Sequence, residues 1–170
     1  MLKPKLYLDT SLFSAYWYAG DNSDLNSRRN KTREWWELER QNFQLQASAF
    51  VEKELIHGVF RRQADCLRMC RRVNYMVTNR RAGEFQEELI RERIIPENKP
   101  IDAWHLSLAV IHSCDYLLTW NYSHLANLDV QARLFGLCRR KKLFVPWLVT
   151  PESVPQVRFG HVVRRRPRNV

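Results

Sequence analysis

Short apolar runs of about four residues alternate along this chain with longer stretches of helical pattern, and few folds accept that alternation. Lys5 to Leu8, Phe43 to Gln46, Val73 to Val77, Tyr116 to Thr119 and Leu143 to Val149 read as strands. Between them, helices are predicted from Asn22, Ser23 or Asp24 to about Arg40, and from Ser48 to about Arg71-Arg72 with a bend near Gly58. Further helices are predicted over Ala82 to Arg93, Pro100 to Ser113 and Val130 to Arg140, with a helical turn over Tyr122 to Ala126. Short, largely apolar strands alternating with helices belong in a sheet covered on both faces. The expected fold is therefore α/β: a three-layer α/β/α sandwich around a central, mostly parallel sheet. Residues 1–150 form the expected domain, and 151–170 an extension with a basic tail.

Such a sheet binds ligands beyond the carboxyl ends of its strands, at the topological switch point. Polar residues at those ends are thus the first candidates for a site. Asp9 follows Leu6-Tyr7-Leu8 and precedes Thr10 and Ser11; Asn121 follows the run Tyr116 to Trp120. Glu54 lies in the apolar stretch Phe50 to Phe60, and Asp102 opens a helix that is apolar almost all round. Burial opposes an ionised carboxylate unless a positive charge meets it, so grouped acids in apolar settings point to a divalent ion with oxygen ligands. Each position also has a plain structural reading. Asp9 can cap the turn or helix that follows, Asp102 suits a first helical turn, and Asn121 is a common turn residue. Glu52 and Glu54 cannot be separated by periodicity. His105, three positions after Asp102, reads as a packing or hydrogen-bonding residue. Asn121, His124 and Asn127 recur every third residue and read either as a polar face or as a hydrogen-bonded turn.

Charge names the client of such a site. Lys and Arg number 28 against 18 acids, a net charge of +10, which favours a polyanion. A hydrophobic content of 45% excludes a disordered chain, and no apolar run is long enough to span a membrane. Asp9 interrupts what would otherwise resemble a signal sequence, so the expected location is the cytoplasm. Cys66, Cys70, Cys114 and Cys138 show no zinc spacing and read as reduced packing residues. Paired Trp35 and Trp36 read as one buried and one half-exposed ring.

Taken in order, Leu6-Tyr7-Leu8-Asp9-Thr10-Ser11, Ser48 to Leu55, Asp102 to Ala109 and Asp115 to Asn121 resemble the successive signatures of PIN-domain ribonucleases. The likeness runs from about residue 5 to 150 and is greatest to the VapC-like toxins of type II toxin–antitoxin pairs. It implies Mg²⁺ or Mn²⁺ and endonucleolytic cleavage of RNA. Matched residue by residue, it implies Asp9, Glu54 and Asp102 as metal ligands and catalytic residues, with Asn121 a fourth catalytic position. It also selects Glu54 over Glu52. Thr10, Ser11, Asn121 and His124 are the expected substrate contacts, joined by Arg164, Arg165 and Arg166 of the tail. Most of the family carry an acid where this chain has Asn121, which puts a second metal in doubt. RNA, a small antitoxin protein and a second copy of the chain are the expected partners. The competing readings are a catalytically weak RNA-binding module, a protein-interaction domain and a phosphohydrolase of small substrates.

Overall fold

The computed structural model describes residues 2–59 and 61–155. Strand β1 (Lys5–Leu8) leads into a short helix α1 (Thr10–Tyr16) and the longer α2 (Ser23–Leu38), then a 3₁₀ turn (Arg40–Asn42). Strand β2 (Gln44–Ala47) is followed by α3 (Ala49–His57) and α4 (Gln63–Cys70), and strand β3 (Asn74–Tyr75) by α5 (Arg80–Arg91) and α6 (Pro100–Ile111). Strand β4 (Tyr116–Leu118), helix α7 (Leu128–Lys141) and strand β5 (Trp147–Val149) complete the described fold.

The five strands form one sheet in the order β3-β2-β1-β4-β5, and every pairing is parallel. This is the α/β/α architecture expected from the alternation. Leu6, Tyr7 and Leu8 are fully buried, as a central strand covered on both faces must be. Leu6 pairs with Leu45 on one side and Tyr116 on the other. The chain builds outward from β1 through β2 to β3, then crosses back to place β4 on the other flank of β1. The switch point therefore lies between the carboxyl ends of β1 and β4, where Asp9 and Thr119 stand.

Some element boundaries depart from the expectation. The long helix from Ser48 is two helices, α3 and α4, separated after His57. The side-chain amide of Gln63 lies 2.8 Å from the carbonyl oxygens of Leu55, Ile56 and Gly58, so α3 ends on a side-chain cap. Of the turn or helix offered after Asp9, the structure shows a helix, α1, which Leu12 and Phe13 anchor in the core. The strand expected over Val73 to Val77 contracts to Asn74–Tyr75, and that expected within Leu143 to Val149 to Trp147–Val149.

Asn22, Asn79 and Asn127 each accept a backbone N–H three residues on and so cap α2, α5 and α7. Pro100 occupies the first turn of α6, where its missing N–H costs nothing. The rings of Phe50 and Trp104 stack with centroids 4.5 Å apart, tying α3 to α6. Trp35 is buried and Trp36 half-buried. All four cysteines are buried and free, and burial lifts the Cys66 and Cys70 thiols to about 11 and those of Cys114 and Cys138 to about 12. They are protonated packing residues. No described helix is long and apolar enough to cross a membrane.

Candidate active site at the carboxyl edge of the sheet

Asp9 leaves β1 in extended conformation and caps α1, its Oδ1 accepting from both the backbone N–H and the hydroxyl of Ser11. Its other oxygen accepts the hydroxyl of Thr119 at the end of β4. Asp9 thus bridges the two strands that flank the switch point. The carboxylate is 3% exposed, and burial raises its pKa although the charge of His105 and the hydroxyls of Ser11 and Thr119 act against the rise. The capping role read from the sequence is real. It leaves the charge itself unexplained, because a neutral Asn would cap as well.

Glu54, on α3, is met from two sides. The Thr10 hydroxyl donates to its Oε2, and His105 Nε2 lies 2.9 Å from the same oxygen. Burial raises the Glu54 pKa, but the hydrogen bond and charge of His105 and the Thr10 hydroxyl outweigh it, and the net shift is downward. Burial opposes the charged form of His105, yet Glu54, Asp9 and Asp102 together hold its pKa above the ordinary value. The imidazolium is thereby favoured. Its Nδ1 lies 2.8 Å from the Tyr7 hydroxyl, which in turn meets the Ser48 hydroxyl at 2.7 Å. In the charged form both ring nitrogens donate, so the Tyr7 hydroxyl accepts from Nδ1 and donates its own hydrogen bond to the Ser48 hydroxyl. Ser48 stands at the N-cap position of α3 but makes no cap hydrogen bond, since Tyr7 engages its hydroxyl instead.

Asp102 sits in the first turn of α6, half-buried, with its Oδ1 accepting from the Asn121 side chain at 3.2 Å. Burial raises its pKa; His105 opposes the rise, the negative charge of Asp9 adds to it, His124 opposes it and Glu54 adds again. His105 touches Glu54 directly, and its charge acts on Asp9 and Asp102 as well. Asn121 spends its own oxygen on the His124 N–H at 3.1 Å and its amide on Asp102, so it orients that carboxylate. Asn127 turns away to cap α7. Glu52 pairs with Arg71 at 2.6 Å, outside this group.

The structure therefore brings Asp9, Thr10, Ser11, Glu54, Asp102, Asn121 and His124 to one edge of the sheet. Arg164, Arg165 and Arg166 lie outside the described residues. Sequence reasoning missed Thr119, Tyr7 and Ser48 and gave His105 no direct contact with an acid. One signal was available: His105 follows Asp102 by three positions and so shares its helix face.

Among the described residues, no three His, Cys, Asp or Glu side chains stand close enough together to enclose an ion in this arrangement. The chemistry of the donors nevertheless suits a hard cation. Oε1 of Glu54 and Oδ2 of Asp102 carry no hydrogen bond among the described residues, and a carboxylate oxygen already accepting one can still ligate. No protein-family model matches the chain, and no curated protein matches it.

Proposed function

We propose that the protein is a metal-dependent endoribonuclease acting in the cytoplasm, a PIN-like enzyme of the toxin type suggested by its sequence motifs. The observation that carries this reading is the gathering of Asp9, Glu54 and Asp102 from three separate elements at the switch point of a parallel sheet, each altering the ionisation of the others or of His105 between them. Acids held in mutual repulsion are costly without a cation to share.

Asp9, Glu54 and Asp102 would hold Mg²⁺ or Mn²⁺, with Asn121 fixing the rotamer of Asp102. Such an ion lowers the pKa of a bound water and neutralises charge on phosphoryl oxygens. The chain's own residues prepare the ground for that chemistry. His105 orients Glu54 through Nε2 and is itself fixed by Tyr7 and Ser48. Thr119 locks Asp9 across the gap between β1 and β4. The Ser11 hydroxyl donates to Asp9 and accepts from the Trp120 N–H, so it holds Asp9 and the loop after β4 together, while a substrate contact by His124 is proposed on the motif resemblance alone. The excess of 10 positive charges draws a polyanion to the surface. A small antitoxin and a second copy of the chain are proposed as further partners on the motif resemblance alone.

One observation favours a second reading, RNA binding without cleavage: Glu54 already has a cationic partner in His105 and needs no metal to be satisfied. A cleavage assay separates the two. End-labelled single-stranded RNA incubated with the purified protein should be cut internally with Mg²⁺ or Mn²⁺, stay intact in EDTA, and stay intact with Asp102→Asn. Metal-independent cutting, or none with either ion, would remove the nuclease reading.

A further inference from the structure

Beside the carboxylates, the loop leaving β4 carries an arrangement that ligating a metal does not require. Trp120 is 5% exposed, and its indole N–H donates to Thr32 of α2 at 2.8 Å. One turn earlier on that helix, Arg28 lays its guanidinium over two rings, 5.7 Å from the centre of Trp120 and 5.4 Å from that of Tyr122. The two rings meet edge-on, with centroids 6.2 Å apart. Tyr122 is 44% exposed, so ring surface remains open to solvent. Among the described residues nothing accepts a hydrogen bond from the Arg28 side chain, although other arginines of α2 find oxygens: Arg29 reaches Asn30 and the Tyr18 carbonyl, and Arg33 the Tyr16 carbonyl. Arg28 is thus half-buried, fixed in place by aromatic faces, and keeps its donors for something outside the protein.

We infer that Arg28 and Tyr122 form a nucleotide-binding platform next to the carboxylates, where a base of single-stranded RNA stacks on Tyr122 and its phosphate is held by Arg28. The platform lies one residue from Asn121, whose amide touches Asp102, so a nucleotide seated there adjoins the phosphate to be cut. The inference rests on reading the neighbouring carboxylates as a cutting site. An aromatic face accepts any base, because every base has a π-face, and it accepts only a base released from its helix. The guanidinium suits phosphate through its planar fork of donors, and Arg28 is already oriented by the rings beneath it. The buried Trp120–Thr32 hydrogen bond anchors the base of the platform to α2, so its geometry does not depend on the loop alone.

The test uses the full chain and a short single-stranded RNA containing 2-aminopurine, whose fluorescence is quenched when the base stacks, in EDTA so that nothing is cut. Wild type should bind with quenching, and a duplex of the same sequence should bind without it. Tyr122→Leu, similar in bulk but without a ring, should weaken binding by about 5- to 150-fold and abolish the quench. Tyr122→Trp should keep both. Arg28→Ala should lower the salt dependence of log K by about 0.7, one phosphate contact on a single strand. Unchanged affinity and quenching in Tyr122→Leu, with an unchanged melting temperature, would overturn the platform even if the protein cuts RNA. Quenched binding that Tyr122→Leu abolishes, in a protein that never cuts, would uphold the platform and remove the nuclease reading instead.

Discussion

Replacing Asp9 separates its two duties, capping α1 and carrying a buried charge. Asp9→Asn retains an oxygen for the Ser11 N–H and places an NH₂ against Thr119. The Thr119 hydroxyl, which already accepts from the Asn121 N–H at 2.9 Å, must then accept again in place of donating. A charge-assisted bond worth about 1.5–3 kcal/mol gives way to a neutral one worth about 0.5–1.5 kcal/mol. Relief of the buried charge, whose burial raises the Asp9 pKa, offsets a loss of that size. Metal-free stability should therefore change by no more than about 1 kcal/mol, or about 2–4 °C in Tm for a chain of this length. Asp9→Ala differs. It loses the cap, at about 0.5–2 kcal/mol, and leaves the Thr119 hydroxyl without its acceptor, at about 1–3 kcal/mol. After partial relief of charge the loss is roughly 1–4 kcal/mol, a fall in Tm of about 2–16 °C. Wild type at a metal concentration of about a hundred times Kd should gain about 2.7 kcal/mol, or about 5–11 °C. Asp9→Asn should gain almost nothing. Differential scanning calorimetry in EDTA and in Mn²⁺ measures all of this. Two results would refute the reasoning: a full metal-induced rise in Asp9→Asn, or a metal-free Asp9→Asn that melts as low as Asp9→Ala.

Other outcomes follow from the same geometry. The His105 pKa is raised, so its contribution to stability is present below about pH 6.5 and fades as pH rises through its folded value; that of Glu54 is lowered, so its contribution is present above about pH 4.3 and fades as pH falls through its folded value. The raised Asp9 and Asp102 bind protons more tightly folded than unfolded, which also costs stability as pH rises through their folded values. In EDTA the Tm should be higher near about pH 5.5 than near about pH 8.5, and metal should stabilise more at the higher pH; the reverse order would contradict these shifts. Asn121→Asp puts a carboxylate against Asp102 at constant shape, so calorimetric titration should find tighter divalent binding and a less stable metal-free protein; unchanged affinity would leave position 121 without influence on the ion. Truncation after Phe159 removes Arg164, Arg165, Arg166 and Arg168, and the salt slope of RNA binding should fall by up to roughly three units; identical slopes would give the tail no role in holding RNA.

The sheet was legible because its central strand is buried on both faces and therefore shows no polar alternation, a pattern few other elements produce. The acids stood out for a related reason, Asp9 ending an apolar run, Glu54 lying within one and Asp102 opening one. Gly58 signalled a bend, but not a full break between α3 and α4, because apolar positions continue across it and the residue that ends α3, Gln63, acts from beyond the break. The Ser48–Tyr7–His105–Glu54 chain was hidden for a deeper cause. Tyr7 and His105 are far apart in sequence, and their pairing depends on the crossover that brings α6 beneath β1. A tyrosine in a buried strand looks like any large apolar residue until its hydroxyl is seen to need a partner. Likewise, the choice between Glu52 and Glu54 depends on which face of α3 meets α6, which the Phe50–Trp104 stack fixes, since Glu54 lies one turn after Phe50 on the same face.

The most direct measurement of the central claim is the anomalous difference map of a crystal of the wild-type protein soaked in Mn²⁺. One peak should lie at the carboxyl edge of the sheet within ligand distance, about 2.0–2.3 Å, of oxygens from Asp102 and at least one of Asp9 and Glu54, after a side-chain rotation that frees Glu54 from His105. No peak at that edge in a well-diffracting crystal, or a peak held by residues elsewhere, would contradict the assignment of these carboxylates to a metal.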